Sequence, residues 1–300
     1  MRGRRGSRDR ASSTNLETGL IFCQAMPYCQ IEATSRGNAL VLIPGIQGRC
    51  EWMRPTVNAL SRRHQGVLSF SLNTIETDEF FDRCADHIDR LLSQVSAPSA
   101  AVVGISFGGL VAVHYASRRP ERVSKLVLTS SPSPRLPLDP ASARYLRQPR
   151  LALPAFALGA VPKLAPEIVA SLPTWSARIK FTAGHLGRIA RYPLAPRHMA
   201  SWVKSWMETD LTSDCRRLRA PTLIVTGEAA LDRVVPVTSS LDYLQLISGS
   251  RHVTLERTGH LGYLTQPDAY AAIVTAFLTG SDEMRDGRGQ RADVQEHGTA

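Results

Sequence analysis

The 300-residue sequence has little lysine, and this scarcity weakens the most obvious interpretation of its charge. Lysine occurs only at positions 125, 163, 180 and 204, so arginine supplies nearly all of the 36 basic residues. Such a skew is more typical of codon bias than of a phosphate-binding surface, and the usual nucleic-acid-binding motifs are missing. The formal net charge of +10 therefore does not by itself predict a nucleic-acid partner.

Cysteine is also scarce, and long apolar runs are missing. The five cysteines are scattered and include no Cys-x-x-Cys pair, which argues against a disulfide framework and a zinc site. No apolar run reaches the roughly 18 residues that span a bilayer, since the nearest candidate, 151–161, contains Pro154. No apolar signal core follows the basic start. We therefore expect no transmembrane segment and a cytoplasmic location.

The basic residues that are present cluster in two places. One is the N-terminal tail, and the other is residues 141–200, where nine bases accompany a single acid, Glu167. A solvated protein face is the favoured interpretation of the second stretch. The alternative is a weak, salt-sensitive contact with anionic substrates or surfaces.

Short apolar runs alternate with helical patterns through most of the chain. This alternation predicts a mostly parallel central sheet flanked by helices, with a folded core over 18–131 and 215–280. The polar ends, 1–17 and 281–300, are predicted to be disordered. The predicted strands are GLIFCQA, CQIEATS, 39–45, 66–72, 99–106, 123–131, 221–228 and 251–257, and the predicted helices are 51–63, 80–95, 107–117 and 268–278.

The alternation stops between residues 132 and 214. This interval contains apolar periodic stretches, several prolines and most of the tryptophans. It predicts a helical cap inserted after the sixth strand, over the carboxyl edge of the sheet. In open α/β sheets, ligands bind at that edge.

The first residue set with chemical meaning is Gly104-Ile105-Ser106-Phe107-Gly108, which fits the pattern Gly-x-Ser-x-Gly. The pattern follows a predicted strand directly and precedes a predicted helix. A serine on such a sharp turn is held in a strained conformation above the sheet, and small neighbours let strand and helix approach each other. The context favours a nucleophilic serine over a plain tight turn.

A nucleophilic serine needs a base, and the base needs an orienting acid. His260 is the candidate base, because it alone among the eight histidines follows a late strand in a Gly-His turn. The acid should follow the strand 221–228. Asp232 is the preferred acid and Glu228 the alternative, which stays open because Asp232 lies five residues beyond Gly227.

Two backbone amides are candidates for an oxyanion hole. One belongs to Phe107, directly after the serine, and the other to Ile46, in the loop Pro44-Gly45-Ile46-Gln47-Gly48. Such amides stabilise the oxygen that becomes negative in acyl transfer. A glycine-rich loop here could also suggest phosphate binding, but neither Gly-x-Gly-x-x-Gly nor Gly-Lys-Ser/Thr is present.

Together these segments resemble the α/β-hydrolase superfamily, in the subset of capped esterases, lipases, lactonases and C–C hydrolases. The resemblance covers about 39–131 and 215–280 and rests on LIPGIQG, GISFGG, PTLIVTGE…LDRVVP and TGHLG. The order serine, acid, histidine is the order of this fold. One departure is Pro44-Gly45, where the family usually has His-Gly.

The resemblance implies a serine hydrolase with the triad Ser106, Asp232 and His260 that acts on a small, partly hydrophobic carboxylic ester, thioester or lactone. No metal or organic cofactor is expected, and no nucleic-acid partner. An acyltransferase or a C–C bond hydrolase would use the same triad. A non-catalytic ligand-binding member of the fold is the remaining alternative, although such proteins usually lose a triad residue.

Overall fold

The computed structural model describes residues 28–30, 39–138 and 140–280. Within them a seven-stranded sheet has the order β1-β3-β2-β4-β5-β6-β7. β1 runs antiparallel to β3, and the other five strand pairs are parallel. The strands are β1 (Tyr28–Gln30), β2 (Ala39–Ile43), β3 (Val67–Phe70), β4 (Ala100–Ile105), β5 (Val123–Thr129), β6 (Thr222–Thr226) and β7 (Arg251–Thr254). The predicted mostly parallel sheet is confirmed.

Helices cover both faces of this sheet, which explains why β2, β3, β4 and β6 are buried along their whole length. One apolar cluster lies under α2, α3 and α8, and a second lies under α1 and α12. The core helices are α1 (Arg54–Ser61), α2 (Phe80–Gln94), α3 (Phe107–Arg118), α8 (Leu211–Arg217), α9 (Val237–Leu241), α10 (Tyr243–Leu246), α11 (Gly262–Thr265) and α12 (Pro267–Thr279).

Four further helices stand between β5 and α8, in the interval predicted to form a cap. They are α4 (Pro140–Arg147), α5 (Pro149–Ser171), α6 (Trp175–Arg191) and α7 (Pro196–Glu208). α5 carries Pro154, Pro162 and Pro166 in its interior, and it bends by 41° between Pro149–Ala155 and Leu158–Ser171. Among the described helices, none is singly long and apolar enough to cross a bilayer, although this bent pair meets the length and composition criteria.

The structure differs from the sequence predictions mainly at element ends. The predicted helix 51–63 starts as a 3₁₀ turn over Cys50–Met53 and ends at Ser61. The predicted strand 251–257 ends at Thr254, and the chain turns at Arg257, where φ is 58°. The predicted strand GLIFCQA and both predicted disordered tails lie outside the described residues, as does most of the predicted strand CQIEATS, and the domain boundaries stay a prediction.

Candidate active site

Ser106 lies at the junction of β4 and α3, on a sharply strained turn. Its φ of 50° and ψ of −122° fall in a region that residues with a side chain rarely adopt. Two backbone hydrogen bonds hold it there: its N–H donates to the Thr129 carbonyl, and its carbonyl accepts from Gly109. The strain thus comes from the sheet and the helix, which fix the hydroxyl at the carboxyl edge.

The loop after β2 packs against the same turn. A Cβ atom at Gly108 would lie only 2.5 Å from the Ile43 carbonyl oxygen, so only glycine lets the loop come this close to the start of α3. Ile46 follows in this loop, within a turn closed by the Gly48 N–H to the Gly45 carbonyl. Phe107 is the first residue of α3. The two candidate oxyanion residues therefore belong to segments in direct contact.

His260 follows β7 and reaches back to the serine. Its Nε2 lies 3.1 Å from Ser106 Oγ, although 154 positions separate the residues in the chain. Gly259 makes this position accessible, because a Cβ there would lie 2.5 Å from the Leu231 carbonyl oxygen. The loops after β6 and β7 are thus in backbone contact, which brings the candidate acid beside the histidine.

Asp232 is the carboxylate that faces His260. Its Oδ2 lies 3.3 Å from Nδ1 of the histidine, while its Oδ1 accepts hydrogen bonds from the amides of Val234 and Val235. Glu228, the alternative acid, instead accepts a hydrogen bond of 2.6 Å from the Arg257 amide. Of the two candidates, the structure therefore places Asp232 on the imidazole.

The surroundings of Asp232 keep its carboxylate charged beside His260. Burial raises the pKa of this carboxyl, but the hydrogen bond and charge of His260 and the two amides outweigh it. The net effect holds the pKa of Asp232 below its ordinary value, so the carboxylate stays ionised at neutral pH. Ser106, His260 and Asp232 are all buried, which strengthens the interactions among them.

A fourth residue, Glu167, was not predicted to belong to the site. It extends from α5 into the core, is fully buried, and accepts the Leu261 N–H with Oε1 at 2.8 Å and Oε2 at 2.9 Å. Burial raises the pKa of Glu167, against the opposing effect of the Leu261 and Gly259 amides and His260. The available sequence signal was its position as the single acid in a basic stretch, but charge alone does not indicate a contact.

Aromatic side chains surround the start of α3. Phe107 lies 6.4 Å from Trp202, with the two rings stacked, and 6.5 Å from Trp206 at a steep angle. Both tryptophans belong to α7, and Trp202 is fully buried. Aromatic side chains from the cap interval therefore pack against the residue that follows Ser106. No group of three or more metal-ligating side chains is found in the described ranges.

A sequence model of the alpha/beta hydrolase fold matches residues 38–267. The chain therefore belongs to the α/β-hydrolase family, as the resemblance predicted. The enol-lactonase of Burkholderia xenovorans LB400 has the same fold, with a TM-score of 0.63 at 18% identity over 84% of this chain and 95% of that one.

The curated relatives include hydrolases with different substrates and one polyketide synthase. A 2-hydroxy-6-oxo-2,4-heptadienoate hydrolase of Pseudomonas putida is 26% identical over 90% of this chain and 100% of its own length. A pimeloyl-[acyl-carrier protein] methyl ester esterase of Neisseria meningitidis is 29% identical over 67% of this chain and 63% of its own. The polyketide synthase ThaQ of Burkholderia thailandensis is 28% identical over 81% of this chain, which spans only 12% of that protein.

Proposed function

We propose that this chain is a serine hydrolase that cleaves a carboxylic ester of a small, partly hydrophobic substrate through an acyl-enzyme. The observation that carries the proposal is the continuous contact from the Ser106 hydroxyl to the His260 imidazole to the Asp232 carboxylate. An imidazole at this distance accepts the hydroxyl proton, and a buried carboxylate orients the ring and stabilises its positive charge. The esterase relative supports an ester as the substrate class.

In the proposed first half-reaction, Ser106 Oγ attacks the carbonyl carbon while its proton moves to Nε2 of His260. The carbonyl oxygen becomes negative, and the amides of Ile46 and Phe107 stabilise it. His260 then gives the proton to the departing alcohol, which leaves Ser106 acylated. Water enters, loses a proton to His260 and attacks the acyl carbon. The acid is released when the proton returns to Ser106.

The aromatic cluster around Phe107 supports an apolar portion of the substrate. Trp202 and Trp206 pack against Phe107, the residue that follows the nucleophile. Aromatic contact favours acyl or alcohol groups with some apolar area, and a fully solvated polar ester would gain little from it. A thioester or a lactone satisfies the same chemistry, because either presents an acyl carbon with a leaving group.

A fluorophosphonate probe tests the nucleophile directly. We expect the wild type to be labelled and Ser106→Ala to be unlabelled, with turnover of short nitrophenyl esters lower by at least about 10³-fold. Ser69→Ala is the matched control, because Ser69 is equally buried but bonds the Leu42 carbonyl away from the site. Labelling that persists in Ser106→Ala would refute the assignment.

C–C bond hydrolysis is the second candidate. It is favoured by the heptadienoate hydrolase, because the match covers the whole length of that relative. Parallel assays with a nitrophenyl ester panel and a vinylogous diketone compare the two reactions. The same ester assay with an added alcohol or amine acceptor reveals acyl transfer as a new ester or amide product. A kcat/KM higher for the diketone than for every ester would replace the ester proposal by the C–C alternative.

A further inference from the structure

Two helices of the cap interval expose apolar side chains that the fold leaves uncovered. On α5, Leu151 and Leu158 are 78% and 73% exposed. On α6, Trp175 and Ile179 are 75% and 64% exposed, and no residue of that helix is buried. Scattered exposed apolar residues are ordinary, but several large ones on two consecutive helices are characteristic of an interaction surface.

These residues are arranged in stripes. Leu151, Leu158 and Val169 are seven and eleven residues apart, so they fall on one face of α5. Trp175, Ile179 and Leu186 do the same on α6. The side of each helix opposite its stripe points inward, where Leu164 of α5 and Phe181 of α6 pack against the core.

The two stripes meet where α5 ends and α6 begins. Arg178 of α6 donates hydrogen bonds to the carbonyls of Val169 and Leu172, and its guanidinium lies 5.2 Å from the centre of the Trp175 ring. Val169 is itself 53% exposed. Arg178 therefore contacts both helices at this corner, and we call the exposed residues around it, together with Arg178 itself, the cap corner (Val169, Trp175, Arg178 and Ile179).

The exposed charges along the helices of the cap interval have one sign. Between residues 140 and 207 the single acid is Glu167, which is buried. Lys163 and Lys180 are exposed, as are Arg150, Arg191 and Arg197. No described carboxylate in this interval therefore offsets the positive charge at the surface.

We propose that the cap corner and its flanking lysines dock onto an anionic lipid bilayer. Apolar side chains inserted at the acyl boundary, with tryptophan at the headgroup level and lysines toward anionic headgroups, are the chemistry of interfacial helices. An acidic protein would also satisfy the charges, and vesicle binding distinguishes the two partners. We favour the lipid surface because tryptophan, aliphatic side chains and lysine together on exposed helices are the composition of interfacial helices.

Sedimentation with sucrose-loaded vesicles tests this docking with the full chain. We expect binding to vesicles of equal parts phosphatidylglycerol and phosphatidylcholine, weakened by salt, and little binding to phosphatidylcholine alone. Lys163→Glu combined with Lys180→Glu should lower the partition coefficient at least about tenfold. Trp175→Ser with Ile179→Ser should do the same. Ester turnover in the absence of vesicles should stay unchanged.

Matched controls remove the same groups elsewhere. Arg63→Glu with Arg251→Glu reverses two exposed charges of the core, and Leu244→Ser removes an exposed apolar side chain; both should bind like the wild type. Trp175 gives an independent readout, because its fluorescence should shift to shorter wavelength on anionic vesicles and this shift should disappear in Trp175→Phe.

Three outcomes would overturn the docking proposal. Binding that survives both cap variants would assign it to the arginine-rich N-terminal tail. Failure to bind anionic vesicles would exclude a lipid partner, and a mass that doubles with concentration would then assign the cap corner to a second copy of the chain. Loss of binding in the controls to the same extent would show a non-specific effect of total charge. None of these results bears on the Ser106 nucleophile.

Discussion

Removal of the Glu167 carboxylate should impair catalysis although this residue touches neither the serine nor the ester. In Glu167→Ala the Leu261 N–H, which donates to both oxygens at 2.8 and 2.9 Å, loses its acceptors inside the protein. An unsatisfied buried amide costs about 1–3 kcal/mol. The neighbouring His260 belongs to the same backbone turn. We therefore expect the turn to shift and to move the His260 imidazole away from Ser106. If a cost of about 2 kcal/mol raises the free energy of the transition state by the same amount, kcat falls roughly 30-fold.

The assay is steady-state hydrolysis of a short nitrophenyl ester, with urea unfolding of the same samples. We expect kcat to fall and KM to change little, because Glu167 bonds the backbone of the His260 turn. Glu167→Gln keeps an acceptor oxygen and should recover most of the lost activity. Glu208→Ala, which removes an exposed acid from α7, is the control and should behave like the wild type. Equal activity in Glu167→Ala and wild type, or equal impairment in the alanine and glutamine variants, would refute the positioning role.

Glu167 should also make the free energy of unfolding depend on pH. Burial raises the pKa of Glu167, so the folded state holds this proton at pH values where the unfolded state has lost it. The resulting stabilisation is complete below the unfolded pKa of about 4.3 and is lost as pH rises through the folded pKa. Glu167→Gln cannot titrate. The free energy of unfolding of the wild type relative to Glu167→Gln should therefore decrease from about pH 4 toward neutral pH, and an unchanged difference would contradict the assigned cause.

Three further predictions concern the site. Asp232→Asn should lower kcat by about 10⁴-fold while Glu228→Gln stays within about tenfold of the wild type, and the reverse order in ester hydrolysis would exchange the two acids. Because the pKa of Asp232 is held below its ordinary value, the wild type should lose the stability due to this carboxylate as pH falls below about 4, whereas Asp232→Asn should not, as urea titrations at several pH values would show. Gly108→Ala should destabilise the fold by about 1–3 kcal/mol, because its Cβ meets the Ile43 carbonyl, whereas Gly187→Ala, with nothing within 4 Å, should stabilise α6 by about 0.5–1 kcal/mol in thermal unfolding.

The sequence was most informative where local pattern and chemistry coincide. The strand β4, the turn at Ser106 and the helix α3 form one contiguous segment, so the pattern Gly-x-Ser-x-Gly and its apolar flanks predicted the turn that the structure shows. The proximity of His260 to Ser106 was predictable because carboxyl ends of parallel strands meet at one edge of the sheet. Their catalytic roles stay predictions until the serine and its partners are tested.

The sequence favoured Asp232 as the acid but left Glu228 open, for a physical reason. Both lie in the loop after β6, and the distance along the chain does not say which way a loop turns. In the structure the Arg257 amide donates a hydrogen bond to the Glu228 carboxylate. The amides of Val234 and Val235 donate to Asp232 and orient it toward the histidine. These are contacts between loops, which no single-segment pattern encodes.

The helix α5 shows why the cap interval was hard to interpret. Its sequence is apolar nearly all round, and such a helix is normally buried in a core or in a membrane. Here the side with Leu164, Glu167 and Ser171 faces the core, where Ser171 Oγ donates to the Arg257 carbonyl and Glu167 accepts from Leu261. The opposite side has no protein partner of comparable apolar area among the described residues. One side of α5 thus holds the backbone around His260, and the other carries the stripe that leads to the proposed lipid contact, so the same helix physically connects the exposed surface to the candidate base.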